Sequence, residues 1–161
     1  MTTAIPELIT QRAQSRLVSI TKANSYSFDV ADVDRVNRLA EDFTPQHLSI
    51  VIVNATEERN PAHDRPGNPP VQAYRLPVKM HAFVRLPEDS DDREDAVVND
   101  MVAAIKKAMA SPADWWTFGG VSYNAEWGDM EKFQGTTHFG CTLQLNALYR
   151  ISETDPYTAL P

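Results

Sequence analysis

The sequence has little cysteine, no long apolar run and no excess of positive charge. Its 161 residues include one cysteine, Cys141, which cannot form a disulfide within the chain and fits a reducing compartment. The longest all-apolar runs, such as Ile50 to Val53, are far shorter than the roughly 20 residues of a membrane helix. The first residues lack the continuous apolar core of a signal peptide. We therefore expect a soluble protein that does not bind a membrane.

Basic residues are outnumbered by acidic ones. The chain has 15 Lys and Arg against 22 Asp and Glu, which gives a formal net charge of −7. Affinity for nucleic acid comes mainly from Lys and Arg side chains that neutralise phosphates, so this balance argues against a groove that grips DNA or RNA. The length fits a single domain over residues 1–161, large enough for a real core.

The sequence also lacks a local motif for catalysis or for metal binding. No two of its histidines have the close spacing of a zinc motif; they are His47, His63, His81 and His138. The acidic residues from 88 to 95 lack the spacing of a calcium loop, and the dipole of the helix that follows them explains their position. We predict no catalytic residue, no metal site and no cofactor.

Cys141 with His138 invites comparison with a thiol nucleophile and its base. In a strand these two positions point to opposite faces, and Cys141 shares the apolar face with Phe139 and Leu143. We therefore predict a buried and inert thiol.

What the sequence does contain is a long alternating segment, Tyr74 to Leu86, in which every second residue is apolar. Alternation at period two predicts a strand with one buried face. At about 3.3 Å per residue this strand would run roughly 43 Å, about the diameter of the whole domain. It should therefore bend, at Pro77 for instance, or project as an arm toward another subunit.

The remaining elements are predicted from periodicity and from stop signals. Two helices are expected, at Ile5–Lys22 and around Val97–Met109, the second ended by Ser111-Pro112. Three further strands are expected, at Leu48–Ala55, Val121–Trp127 and Thr137–Ile151, the last two joined by a turn around Gly128–Gly135. The stretch from Tyr26 to Leu39 is ambiguous between strand and helix and leans toward strand. This is an α+β fold, a mostly antiparallel sheet packed with two main helices and carrying a long loop or β-arm.

Two segments look poorly anchored, the Pro-rich loop Glu57–Pro70 and the tail at 152–161. A loop this long inside a compact domain is usually functional or disordered. We therefore predict an interface there and at the dense aromatic residues that follow the second helix, although these aromatics could equally cap the open end of a small core. The candidate interface residues are Arg59, His63, Arg65, Tyr74, Trp115, Trp116 and Trp127.

The whole order of elements, ending in Leu148-Tyr149-Arg150 with Asp155-Pro156-Tyr157 close behind, resembles the tail terminator proteins of long-tailed bacteriophages, the group that includes the minor tail protein U of phage lambda. The resemblance implies a non-enzymatic virion protein that forms a closed ring, typically a homohexamer, on the last disc of the tail tube. There it would stop elongation and present the surface for head joining. The Pro-rich loop and the tail look longer than a minimal version of this fold requires.

The implied partners are other copies of the chain, the tail tube protein and the head–tail connector proteins, with DNA only as cargo passing through the lumen. The implied location is the neck of the virion tail, and the host cytoplasm during assembly. A head–tail connector (stopper or adaptor) and a tail tube subunit are close alternatives. A monomeric binding domain that grips its partner through the Trp115–Trp127 region and a small enzyme also remain open.

Overall fold

A computed structural model describes residues 3–35, 48–84, 94–111, 113–134 and 138–160, and it confirms an α+β fold. The two helices are α1 (Ile5–Val18) and α2 (Glu94–Ala110). The strands are β1 (Val30–Asp34), β2 (Leu48–Asn54), β3 (Glu58–Arg59), β4 (Val71–Val84), β5 (Asn124–Gln134), β6 (Phe139–Ser152) and β7 (Asp155–Ala159). Short 3-10 turns lie at Lys22–Asn24, Pro61–His63 and Trp115–Thr117.

These strands form one seven-stranded sheet, in the order β1-β2-β4-β6-β5. The short strand β3 pairs with β4, and β7 pairs with β6. All pairings are antiparallel except that of β1 with β2, which is parallel. The sheet is thus mostly antiparallel, as the sequence predicts.

The centre of the sheet is the pairing of β4 with β6. Each strand has 14 residues, and they pair from Val71 opposite Ser152 to Val84 opposite Phe139. At strand rise this ladder is about 46 Å long. The predicted alternation holds, because the even-numbered residues of β4 from Leu76 to Val84 are buried on one face.

Pro77 lies inside this central strand without interrupting it. Pairing of β4 with β2 ends at Val78, and pairing with β3 begins at Arg75, so neither strand pairs with Pro77. The Pro77 carbonyl accepts a bond from the Ala55 N–H, 2.9 Å away. A strand residue directs its N–H and C=O to the same side, so the missing N–H of Pro77 faces the gap between β2 and β3.

All of β4 pairs within its own subunit, so the expected projecting arm is wrong for these residues; Leu86 lies outside the described part of the chain.

Both helices contact the apolar face of the sheet and close the core over it. The Asn54 side chain of β2 donates to the Thr10 hydroxyl of α1 at 2.7 Å, and the Lys132 ammonium of β5 donates to the Asn99 amide oxygen of α2 at 2.6 Å. The helical core residues recur at helical spacing. They are Ile5, Ile9, Ala13 and Leu17 in α1 and Val97, Val98, Met101, Ala104, Ile105, Ala108 and Met109 in α2.

The first helix ends at Val18, four residues before the predicted Lys22. The Ser19 N–H bonds to the Arg16 carbonyl, and the Asn24 side chain then donates to the Ser19 carbonyl at 2.8 Å. Ile20 remains fully buried although it is outside the helix, which explains why the apolar periodicity continued past the helix end. The second helix ends at Ala110, directly before the predicted stop at Ser111.

The predicted turn at Gly128–Gly135 is wrong over its first part, because β5 continues through Gly128 to Gln134. The register shifts between Trp127 and Met130, which marks a β-bulge. A Cβ on Gly128 would lie 3.0 Å from the Asn146 side chain, so this glycine permits close packing against β6 and does not reverse the chain.

Three further predictions can be compared with the structure: the ambiguous stretch, the strand predicted to start at Val121, and the tail. The stretch that leaned toward strand contains β1, while Val36 and Leu39 lie outside the described residues. The predicted strand start at Val121 is wrong, since Val121 and Ser122 close a turn by bonding to the Thr117 carbonyl. The tail is not loose, because β7 pairs with β6 and the Leu160 N–H bonds to the Arg150 carbonyl at 2.9 Å.

Candidate functional site

The Pro-rich loop folds back on its own subunit, contrary to the expectation that it is poorly anchored. Its strand β3 pairs with Arg75 and Tyr74 at the start of β4, and Arg65 and Val71 exchange backbone bonds of 3.0 and 3.1 Å. Inside the loop, Asp64 accepts a bond from the Ala73 N–H at 2.8 Å. The loop therefore covers the end of the sheet where β4 begins and β6 ends, which we name the loop end.

Ion pairs fix the shape of this loop. Arg59 and Asp64 approach to 2.5 Å, and Arg75 donates to the Glu58 carboxylate through its Nε at 3.0 Å and through a second nitrogen. Such exposed pairs contribute little to stability. Their effect here is to hold charged side chains in one arrangement on a solvent-facing surface.

We expect stability to fall in acid because several carboxyls are ionised more readily in the folded protein. Arg59, together with the Ala73 N–H, lowers the pKa of Asp64, and Arg35 lowers the pKa of Glu7. A native pKa below the unfolded value means that the unfolded chain binds more protons. The stabilisation is therefore complete above the unfolded range, about pH 5, and is lost as the pH falls below about 4.

Urea midpoints measured from pH 7 to pH 2 test this. Asp64→Asn keeps an oxygen that can accept from Ala73 but removes the titration, so its midpoint should fall less steeply in acid than that of the wild type. Equal slopes for the two proteins would contradict the assignment to Asp64.

A tyrosine pair anchors the loop to the central strands. The Tyr74 and Tyr149 rings stack with centroids 5.7 Å apart, and the Tyr149 hydroxyl donates to the Glu57 carboxylate. Burial, and then the bond to Glu57, raises the pKa of Tyr149. On the outer side the Arg59 guanidinium lies 5.5 Å from the Tyr74 ring centroid. The Tyr74 ring is thus packed between the Tyr149 ring on one side and the Arg59 guanidinium on the other.

A second aromatic contact joins the loop to the start of β5. The His63 and Tyr123 rings stack with centroids 6.0 Å apart, and the Arg150 guanidinium lies 3.9 Å from the Tyr123 centroid. Arg150 also donates to the His63 carbonyl at 3.1 Å. The Tyr123 hydroxyl is buried and has no hydrogen-bond partner among the described residues. This contact fixes His63 and Arg150 at the loop end.

The turn that follows α2, Trp115–Gly120, is held by two arginines of α1, and we name it the Trp turn. Arg12 donates to the Phe118 carbonyl, and Arg16 donates to the Trp115 carbonyl at 3.0 Å. Phe118 is fully buried and has a left-handed backbone (φ 46°). Trp116, in edge-to-face contact with Trp115, stays 43% exposed. The Trp turn leads through Tyr123 into β5, so it also lies at the loop end.

The structure therefore brings together six of the seven candidate interface residues at one end of the sheet. These are Arg59, His63, Arg65, Tyr74, Trp115 and Trp116. Trp127 lies apart, half-buried on the core side of β5 with the Lys106 ammonium 5.7 Å from its ring centroid. Whether these residues form an interface stays a prediction.

Four residues that build this end are not among the predicted interface residues. Glu57, Tyr123, Tyr149 and Arg150 make the contacts just described. Alternation along a strand says nothing of a hydroxyl that reaches a carboxylate 92 positions away, as that of Tyr149 does.

Cys141 and His81, the other side chains considered for chemistry, lie outside the loop end. Cys141 is fully buried, and burial raises the pKa of its thiol to about 12, so the prediction of a buried thiol is confirmed. His81 bonds to the Thr142 hydroxyl at 2.8 Å, and burial lowers its pKa. Within the described ranges, no group of three or more His, Cys, Asp or Glu side chains is placed to hold a metal ion. The acidic residues 88–93 and His47 lie outside these ranges.

None of the helices in the described residues is long and apolar enough to cross a lipid bilayer. No protein-family model matches the chain, and no curated protein matches it either.

Proposed function

We propose that the protein is a structural subunit of a phage tail that forms a ring on the end of the tail tube, the role of a tail terminator. Two observations support this proposal. The order of elements resembles that family, and the fold is the mostly antiparallel α+β domain that the periodicity of the sequence predicts.

The observation that carries the proposal is the difference between the two ends of the sheet. The loop end presents exposed arginine and aromatic side chains, among them Arg65 and Trp116. The opposite end, where β5 ends and α2 begins, presents Glu94 and Asp95 together with Lys132. A subunit with two unlike ends suits head-to-tail contacts, which close into a ring when the rotation between neighbours permits. The net charge of −7 favours a lumen that does not retain DNA.

Light scattering over a concentration series, followed by negative-stain imaging with purified tail tubes, tests the proposal. A terminator should form closed rings that sit on tube ends and stop growth. Self-assembly into long tubes would identify a tube subunit instead. A monomer at every concentration that ignores tubes would overturn the proposal.

Arg65→Glu should weaken ring formation because it reverses an exposed charge at the loop end. The backbone bonds between residues 65 and 71 do not depend on the side chain, so the fold should remain. Lys22→Glu, the same change at an exposed position after α1, is the matched control. We expect the Arg65 variant to need about tenfold more protein to form rings, corresponding to about 1.4 kcal/mol. An equal effect of both variants would point to net charge alone.

A further inference from the structure

We propose that the Pro-rich loop, residues 57–70, is a strap that opens as a unit while the sheet beneath it stays folded. The closed loop covers part of the backbone edge of β4, and opening uncovers that edge. The inference concerns a single subunit and goes beyond the proposed ring, so it does not depend on that proposal.

The Pro-rich loop contributes no buried side chain to the core. Every residue from 57 to 70 is exposed, apart from Asn60 and Asp64, which are half-buried. Burial of apolar surface is the dominant favourable term in folding. Segments with few buried apolar contacts open at a much lower free energy than the whole domain. The loop therefore has the burial pattern of a segment that opens locally.

Backbone bonds attach the loop to β4 over a short distance. The strand β3 has only two residues, and beyond it the Asn60 N–H donates to the Ala73 carbonyl at 2.9 Å. Arg65 and Val71 close the loop with their two mutual bonds. Hydrogen bonds within reach of water contribute little net stability, because water offers similar partners to both groups. This short ladder can therefore separate at a small cost.

Carboxylates make the side-chain contacts of the loop with the central strands. Glu58 accepts from Arg75 Nε at 3.0 Å, and Asp64 accepts from a backbone N–H of β4 at 2.8 Å. Glu57 accepts from the Tyr149 hydroxyl. Exposed charged contacts are weakened by salt and by the entropy of the long side chains. Breaking them leaves no cavity, because the loop side chains lie outside the core.

The ring contacts of the loop are also at the surface. His63 stacks on Tyr123 with centroids 6.0 Å apart, and the Arg59 guanidinium lies 5.5 Å from the Tyr74 centroid. Both loop side chains remain exposed in these contacts. They orient the closed loop without burying it.

Opening requires no change in the strands on either side of the loop. The loop connects β2 to β4, and these strands pair directly from Ser49 opposite Phe83 to Asn54 opposite Val78. Before Val78, β4 pairs with β6 as far back as Val71. Both strands are therefore held by contacts that the loop does not make.

The closed loop covers a strand edge that β2 does not reach. Pairing of β2 stops at Val78, and β3 pairs with Arg75 and Tyr74 on the same side of β4. An unpaired strand edge is a template for pairing with another chain. The loop thus protects β4 when it is closed, and opening exposes the backbone groups that β3 now pairs.

Native-state hydrogen exchange of the full-length protein tests the inference. The reporters are the amides of Asn60, Arg65 and Val71, which bond within the loop or between the loop and β4. Corrected for intrinsic rates, they should exchange about 100-fold or more faster than the amides of the β4–β6 ladder. Urea below the unfolding transition should change their rates little. Exchange of both sets at one rate, with the urea dependence of global unfolding, would overturn the inference.

A pair of matched substitutions gives a second readout. Arg75→Gln breaks the exposed ion pair with Glu58 and should speed exchange of the reporter amides by about threefold. Arg35→Gln breaks the comparable exposed pair with Glu7, away from the loop, and should leave them unchanged. An equal effect of both variants would mean that the reporters exchange through global unfolding and would overturn the inference.

A reversible crosslink across the loop gives a third readout. Glu58 and Arg75 are directly opposite in β3 and β4, where Cα atoms about 5.5 Å apart permit a disulfide. The protein with Glu58→Cys and Arg75→Cys should exchange its reporter amides at least about tenfold more slowly when oxidised than when reduced. The native Cys141 is buried and should not interfere. Equal rates in the two forms would overturn the inference.

The outcome for the loop is separate from the outcome for the ring. A wild type that forms no rings but shows fast, urea-independent exchange of the reporter amides would support the strap and remove the proposed function. Closed rings on tube ends, together with loop amides that exchange only by global unfolding, would do the reverse.

Discussion

Replacing Tyr149 with alanine should lower the free energy of unfolding by about 3–5 kcal/mol, the usual cost of removing a large buried aromatic side chain. Tyr149 is 1% exposed and lies on β6, one of the two central strands. Its ring stacks on Tyr74, and its hydroxyl bonds to Glu57 at the start of the Pro-rich loop. The substitution thus removes core packing and a loop anchor together. Denaturant unfolding followed by tryptophan fluorescence measures the change, provided that the slope with denaturant stays constant.

Tyr149→Phe separates the two contributions. It keeps the ring but leaves the Glu57 carboxylate without this donor, so we expect a loss of about 1 kcal/mol. Proteolysis within Glu57–Pro70 should become faster in both variants, because both release the loop. If Tyr149→Ala cost no more than Tyr149→Phe, the ring would not contribute to the core as described.

Alternation predicted the central strands well because their environment is simple. Both β4 and β6 have a neighbour on each side and bury one face against the helices, so the apolar residue at every second position follows directly from packing. The second helix ends at Ala110, directly before the predicted stop at Ser111-Pro112, because a proline follows. Pro112 allows no continuation, and the residue before a proline is disfavoured in a helix.

Contacts between distant residues could not be predicted in this way. Glu57 and Tyr149 are 92 positions apart, and His63 and Arg150 are 87 positions apart. No local pattern encodes them, so a Pro-rich segment without large apolar residues was expected to be loose. It is anchored through its polar groups.

Glycine and proline also led to wrong predictions, because each occurs both in turns or bends and inside strands. Gly128 indicated a turn, but it lies in a β-bulge where β6 side chains approach closely. Pro77 indicated a bend, but it lies opposite the gap between two short neighbours. Among the candidate tryptophans, exposure depends on tertiary packing, so the sequence could not separate Trp116 from Trp127.

Phe118→Ala should also lower the free energy of unfolding by about 3–5 kcal/mol. Phe118 is fully buried beneath the Trp turn, and the Arg16 guanidinium lies 4.6 Å from its ring centroid. Its left-handed backbone costs much the same with alanine, since both residues carry a Cβ. The measured difference therefore reports the ring. Trp116→Ala should lower the unfolding free energy by less than Phe118→Ala does, because Trp116 is 43% exposed and lies outside the buried core.

The two variants should nevertheless both weaken association, for different reasons. Trp116→Ala removes an exposed side chain of the predicted interface, whereas Phe118→Ala keeps that side chain but removes the packing that orients it. Association is to be measured by light scattering at a temperature where unfolding curves show each variant fully folded. Full association of folded Phe118→Ala would show that the Trp turn need not be rigid. Loss of association with Trp116 intact would show that the interface depends on the buried ring beneath the Trp turn.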